Sequence, residues 1–80
     1  SITIIDDIEN NLEYLLHDQN ESKLTLAVHP FIYTYLTKGL FSRQWKWFRE
    51  YKKWIKIKKM NHYHLLEYHF FDKNKDEIKH

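Results

Sequence analysis

The residues best suited to chemistry in this chain are cationic and aromatic side chains concentrated between positions 38 and 59. This segment holds nine of the 13 Lys and Arg residues and all three Trp residues, but only one acid, Glu50. Lysine and arginine neutralise phosphates and flat rings stack on bases, so the combination is typical of a nucleic-acid surface. It is equally typical of an amphipathic helix whose aromatic side chains fill a core. The six cations for which we predict RNA contact are Arg43, Lys46, Arg49, Lys53, Lys56 and Lys58.

Three histidines near the C-terminal end have the residue type, but not the arrangement, of metal ligands. His62 and His64 are two residues apart and would share one face of a strand, whereas His69 would fall on the opposite face. The chain has no cysteine, and no well-placed carboxylate completes a ligand set. We therefore interpret these histidines as partly exposed strand and loop residues.

The remaining polar residues with chemical potential have structural explanations. His29 precedes Pro30, which suits the first position of a helix, so we expect a structural hydrogen bond from His29 at this junction. Ser42 has no sequence hint of a base with an orienting acid. Gly39 is the only glycine, which excludes a glycine-rich phosphate loop, and it suits the end of the helix that begins at Pro30. We predict no catalytic, metal-binding or cofactor-binding residue in this chain.

The first part of the chain predicts one helix and one strand. Apolar residues recur at intervals of three and four, which indicates a helix over residues 5–19. Asp6, Asp7 and Glu9 would lie in its first turn, where acids favour the positive helix end, and Asp6 with Glu9 has a capping-box spacing. This explains the three acids without a metal ion. Looser alternation over residues 23–29 predicts a short strand.

The second part of the chain predicts a third helix, two strands and a turn. Ser42 can cap the helix. Two aromatic stripes are predicted on it, one of Phe41, Trp45 and Phe48 and the other of Trp47, Tyr51 and Trp54. From Ile55 the period changes from 3.6 to 2, because isoleucines alternate with lysines as in an edge or half-solvated strand. Residues 65–71 predict a further strand, residues 72–76 a turn, and residues 77–79 a short final strand.

This order of elements predicts an α+β (mixed α/β) fold. The main elements run helix, strand, helix, helix, strand, strand, and a strand–helix–strand crossover places the first two strands parallel. The last two strands are close enough in sequence for an antiparallel hairpin. We expect a small three-stranded mixed sheet with helices packed on it, in a single domain over residues 1–80.

Composition limits the class of protein further. Residues 1–22 carry six acids and no Lys or Arg, whereas residues 38–59 sum to +8, and this asymmetry favours an interaction surface. The lack of cysteine suits a reducing cytoplasm, and no apolar run reaches the roughly 18 residues of a membrane span. We expect no membrane partner. Because the first residue is Ser rather than Met, we expect a processed or excised piece.

Four segments carry a resemblance to a known family. Residues 26–40, 46–57 and 68–78 resemble the C-terminal end of bacterial ribonuclease E/G family proteins, closest to ribonuclease G-like members of the Bacteroidetes type. Residues 5–12 fit the helix that opens this region. In the family a strand, two helices and a closing hairpin recur here, while individual residues vary.

The resemblance implies a supporting role. It implies that the chain is the small C-terminal domain of a single-strand-specific endoribonuclease that acts in RNA processing and decay in the bacterial cytoplasm. The family's catalytic Asp residues hold Mg²⁺ in an earlier nuclease domain, and a Cys pair shares a zinc ion between subunits. None of these residues can be placed on this sequence. The partners implied are other subunits or domains of the parent ribonuclease.

Three functional hypotheses therefore stay open. The first is a non-catalytic domain of a ribonuclease E/G-type enzyme that supports subunit packing and contacts RNA. The second is a stand-alone nucleic-acid-binding module that uses residues 38–59. The third is a protein-interaction domain that associates through exposed aromatic residues such as Trp47 or Trp54.

Overall fold

The computed structural model describes residues 2–78, and it shows an α+β fold with a mixed sheet. The elements are α1 (Ile2–Glu13), β1 (Thr25–Val28), α2 (Pro30–Thr37), α3 (Arg43–Tyr51), β2 (Lys56–Lys59), β3 (Tyr68–Phe71) and β4 (Glu77–Ile78). The predicted fold class is confirmed, although the sheet has four strands because the two-residue β4 joins it. Within the described residues, no helix is both long enough and apolar enough to cross a membrane.

Helix α1 begins earlier than the sequence pattern predicted. Because it starts at Ile2, its first turn contains no acid, and the prediction of a capping box at Asp6 and Glu9 was wrong. The helix widens into a π-helical turn over Tyr14–Asp18, where the Gln19 amide donates to the Tyr14 carbonyl at 3.1 Å. Because Asp6, Asp7 and Glu9 lie beyond the first turn of α1, they do not cap the helix, and the Glu9 carboxylate is available for a contact elsewhere in the fold.

The sheet has the strand order β2-β1-β3-β4. Strand β1 pairs parallel with β2 and antiparallel with β3, so that Leu26 lies between Ile57 and Phe70. The parallel pair was predicted correctly, but the predicted hairpin between β2 and β3 was wrong because β1 separates them. The most apolar strand takes the centre, since Leu26, Ala27 and Val28 are all buried. The lysines of β2 suit an edge strand, as expected.

Strand β3 is shorter than predicted. It begins only at Tyr68, because residues 61–66 form turns that leave Leu65 and Leu66 exposed. The Glu67 side chain accepts from the His64 amide at 3.1 Å, and the Glu67 amide donates to the His64 carbonyl at 3.1 Å. These two hydrogen bonds stabilise a turn at Leu65 and Leu66, and β3 therefore does not extend to these residues.

The predicted starts of α2 and α3 are confirmed by their N-terminal caps. The His29 ring accepts from the Phe31 amide at 3.0 Å, which is the structural hydrogen bond expected at this junction. Ser42 Oγ accepts from the Trp45 amide at 3.3 Å and begins α3. Gly39, with φ of 83°, follows the end of α2 in a conformation that favours glycine.

The core lies between the helices and one face of the sheet. Ile8 and Leu12 of α1, Leu36 of α2 and Trp47 of α3 pack there with the inward residues of the strands, which include Phe70. Only one of the three Trp residues belongs to this core.

The second predicted aromatic stripe is broken at its end. Helix α3 stops at Tyr51 because Lys52 adopts a left-handed conformation with φ of 60°. Trp54 therefore does not continue the stripe with Trp47. It packs instead against Trp45, with the ring centroids 5.0 Å apart.

Candidate nucleic-acid interface

The sheet face opposite the helices is open, and we call it the open face. Two rows of paired residues cross it: Lys56, Thr25 and Phe71 form one row, and Lys58, Ala27 and His69 form the other. A cavity of about 250 Å³ lies on this face. Its lining residues are Thr25, Ala27, Lys56, Lys58, Met60, Tyr63, Phe71 and Lys75. The cavity therefore combines a sheet floor with side chains from the flanking loop and turn.

The charge of this cavity is positive. Lys56, Lys58 and Lys75 are exposed, and none of them forms an ion pair with an acid within residues 2–78. Lys75 reaches this position because the β3–β4 turn gives it a left-handed conformation, with φ of 67°. Three cations on one concave surface favour the binding of an anionic group.

Aromatic residues supply the apolar part of the cavity. Phe71 and Tyr63 are half-buried, so part of each ring remains accessible. Burial, followed by the nearby Glu67 and Glu77 carboxylates, raises the pKa of Tyr63, which keeps the phenol protonated as a hydrogen-bond donor. The site can therefore offer charge, a flat ring and a hydroxyl group to one ligand.

Two of the predicted RNA-contacting cations are held by an acid of α1. Glu9 Oε2 accepts from Arg43 at 3.1 Å and from the Trp47 indole at 2.9 Å, and Lys46 Nζ lies 3.9 Å from it. This carboxylate joins α1 to α3. Arg43 and Lys46 therefore neutralise a charge within the fold, which reduces what they can offer to a phosphate.

The other four predicted cations lie in three different parts of the fold. Lys53 Nζ donates to the Glu21 carbonyl at 2.9 Å and so fastens the loop after α1. Arg49 is exposed on α3. Lys56 and Lys58 lie on the open face. The structure thus brings only two of the six predicted residues together in the cavity.

An acidic cluster borders the open face on the side away from β2. His69 lies between two carboxylates, with Nε2 2.9 Å from Glu67 Oε2 and Nδ1 2.8 Å from Glu77 Oε2. Both nitrogens must donate to satisfy both acids, so the imidazolium form fits this arrangement. The Tyr63 ring, which lines the cavity, also packs edge-on against His69 at 5.3 Å between centroids.

The three histidines near the C-terminal end lie in different surroundings. Within residues 2–78, no group of three or more His, Cys, Asp or Glu side chains is arranged to hold a metal ion. His62 and His64 are exposed, and His69 faces two carboxylates. Their arrangement supports structural roles.

Replacement of His69 by Gln is expected to destabilise the protein in a pH-dependent manner. Hydrogen bonding to Glu67 is the main cause that raises the pKa of His69 above 6.5, and hydrogen bonding from His69 is the main cause that lowers the pKa of Glu67 below 4.5. The stabilisation that protonated His69 contributes is complete below pH 6.5, and it is lost as the pH rises through the raised pKa of His69. The stabilisation that ionised Glu67 contributes is complete above pH 4.5, and it is lost as the pH falls through the lowered pKa of Glu67.

The difference in free energy of unfolding between the natural protein and His69→Gln should therefore be largest near pH 5.5, between these two values, and smaller near pH 9. Urea denaturation at several pH values measures it. His62→Gln is the control, because His62 is exposed in the turn region that precedes β3. A difference that is independent of pH would show that the ion pairs do not contribute.

Several residues that line the cavity are not among the contact residues predicted from the sequence. Phe71 was placed in a strand and Lys75 in a turn, but neither was connected with the cations of residues 38–59. The alternation of β2 and β3 could have placed Lys56, Lys58 and Phe71 on outward faces. It could not show that β1 lies between the two strands, and this is what brings them to one surface.

A second exposed group lies on α3 and just before β2. Trp45, Phe48 and Trp54 pack edge to face with centroid distances of 5.0–6.0 Å, and we call them the α3 aromatic cluster. Their exposed fractions are 37%, 40% and 46%. Trp47, by contrast, is only 1% exposed, so the hypothesis of contact through exposed Trp47 was wrong.

Comparison of this chain with protein-family models, with curated proteins and with solved structures finds no significant match. The resemblance to the ribonuclease E/G small domain therefore stays a prediction.

Proposed function

We propose that this chain is a non-catalytic RNA-binding domain of a larger ribonuclease of the E/G type, and that the open face is its RNA-contacting surface. The observation that supports the RNA-binding part is a cavity whose lining includes three lysines and one accessible ring, namely Lys56, Lys58, Lys75 and Phe71. Lysines bind phosphates and an accessible ring stacks on a base, so this cavity offers both kinds of contact to one nucleotide. The ribonuclease part is supported by the resemblance over most of the chain.

The register of the sheet supports a simple binding geometry. Lys56 and Phe71 lie on either side of Thr25 in one row, so their Cα atoms are about two strand spacings, or roughly 10 Å, apart. A phosphate near Lys56 can then belong to the same nucleotide segment as a base on Phe71. Such contacts read the backbone and the ring faces, so we expect little sequence preference.

The proposal leaves the chemical step to other parts of the parent enzyme. As the resemblance implies, the Asp residues that hold Mg²⁺ and the Cys pair that holds zinc belong to earlier domains. This domain would help to hold RNA and would pack against other subunits or domains of the parent, in the bacterial cytoplasm.

A second candidate function, protein interaction, is favoured by one specific observation. Leu40 and Phe41, in the loop between α2 and α3, are 72% and 93% exposed, and Phe31 of α2 is 67% exposed. Large apolar side chains at this level of exposure are typical of contact surfaces. This role is compatible with RNA binding on the open face, because the two surfaces use different residues.

The test of the RNA-binding proposal is binding of a labelled single-stranded RNA of about 12 nucleotides, a length within the usual site sizes. We expect binding that weakens steeply between about 50 and 200 mM salt, because phosphate contacts release counterions. We also expect the RNA to stay intact in the presence of Mg²⁺. Absence of binding at the lower salt concentration would overturn the proposal. The stand-alone alternative predicts the same binding, and a nuclease domain with a Cys pair upstream of Ser1 would exclude it.

A further inference from the structure

The α3 aromatic cluster is exposed in a way that packing alone does not require. Trp45, Phe48 and Trp54 touch one another, yet each keeps more than a third of its surface accessible. Trp47 on the same helix shows the alternative, because it is fully buried and its indole is hydrogen-bonded. The exposed faces of the cluster are therefore free for contact with another molecule.

The surroundings of the cluster indicate the chemistry of that molecule. Arg49 and Lys52 are exposed and lie beside it in sequence. Glu50 is the only acid within residues 38–59. Rings flanked by cations suit a ligand with flat apolar groups and negative charges, and a nucleic acid has both.

One member of the cluster, Trp54, lies two positions before Lys56, which lines the cavity of the open face. Burial alternates without interruption from Trp54 through Ile55, Lys56 and Ile57 to Lys58, so Trp54 and the two lysines are on the same side of this segment. The Cα atoms of Trp54 and Lys56 are at most about 7 Å apart, because the two residues are two positions apart along the chain. One chain of nucleotides can therefore contact both surfaces.

We propose that single-stranded RNA crosses both surfaces, with phosphates on the lysines of the open face and bases stacked on the α3 aromatic cluster. Only a single strand can do this, because the bases of a duplex are stacked on each other and present no free face to a ring. This inference rests on the proposed RNA-binding function, and it names a second set of residues that bind the RNA.

The experiment compares the natural protein with Trp54→Ala and Trp45→Ala, using a single-stranded RNA of about 12 nucleotides and a hairpin duplex of equal charge. Loss of one stacking contact should weaken single-strand binding about 5- to 100-fold and leave duplex binding unchanged. The slope of affinity against salt should also stay the same, because no phosphate contact is removed.

Two further variants make the result specific. Trp54→Tyr keeps a ring and should retain most of the binding, whereas Phe31→Ala removes a still more exposed ring from α2 and should have no effect. Unchanged single-strand binding by Trp54→Ala and Trp45→Ala would overturn the inference while leaving RNA binding on the open face intact. Loss of self-association in these variants without loss of RNA binding would also overturn it and would assign the cluster to protein contact. If the natural protein binds no RNA at all, the proposed function fails as well.

Discussion

Replacement of Trp47 by Ala is expected to destabilise the protein by about 3–5 kcal/mol. The indole is almost completely buried between α1 and the sheet, and its removal leaves a large cavity. The replacement also removes the hydrogen bond from the indole to Glu9, which leaves Arg43 as the nearest partner of that carboxylate. A small domain has only about 5–15 kcal/mol of stability, so a substantial fraction of this variant should be unfolded. Urea denaturation followed by far-ultraviolet circular dichroism measures the loss.

The matched control for this prediction is Trp45→Ala, on the same helix. Trp45 is 37% exposed and lies outside the core, so its replacement should cost about 1–3 kcal/mol, from two ring contacts at about 0.5–1.5 kcal/mol each. Equal destabilisation by the two variants would contradict the placement of Trp47 in the core. A third variant, Trp47→Phe, keeps an aromatic ring but removes the donor, so its cost should lie between the two.

Reversal of charge at Lys56 and Lys58 should weaken RNA binding by on the order of 100-fold at low salt. The double variant K56E/K58E removes two phosphate contacts and places two acids beside the same phosphates. Both side chains are exposed on the edge strand, so the fold should be retained. In the neutral variant K56Q/K58Q, the negative slope of log affinity against log salt should become shallower by about 1.4. This is the loss of two phosphate contacts at about 0.7 each for a single strand.

The matched control is K23E/K38E, which changes the net charge equally at exposed lysines outside the cavity of the open face. We expect a loss of no more than about threefold, because neither lysine lines the cavity and a charge that makes no direct phosphate contact acts only through screening solvent. Equal losses for the two double variants would show that net charge, rather than the open face, determines binding. The same measurement on R43E is informative, because Arg43 already pairs with Glu9 and its reversal should affect stability more than RNA binding.

The parts of the fold that depend on local spacing were predictable. The caps at His29 and Ser42 involve hydrogen bonds across two or three residues, and both were recognised from residue type and position. The edge character of β2 follows from alternation of isoleucine and lysine. Helix α1 was placed correctly, but its start was not, because the apolar residues before position 5 carried no clear boundary signal.

The candidate site was predicted only in part. Lys56 and Lys58 were identified from charge, but Arg43 and Lys46 were assigned the same role although they pair with Glu9. Nothing in the local sequence connects these residues, since Glu9 and Arg43 are 34 positions apart. The count of cations in residues 38–59 therefore overestimated the charge that is available to a phosphate.

By itself the sequence determined the class of fold, the main helices and strands, their caps and the outward direction of the β2 lysines, because these depend on contacts between residues close in the chain. Only the tertiary structure decided that β1 separates β2 from β3, that Phe71 and Lys75 join the lysines, and that Trp47 is buried while Trp54 is not. These features depend on which distant segments pack together. The packing of distant segments is determined by the burial of apolar surface in the whole core, and the periodicity of one segment does not predict it.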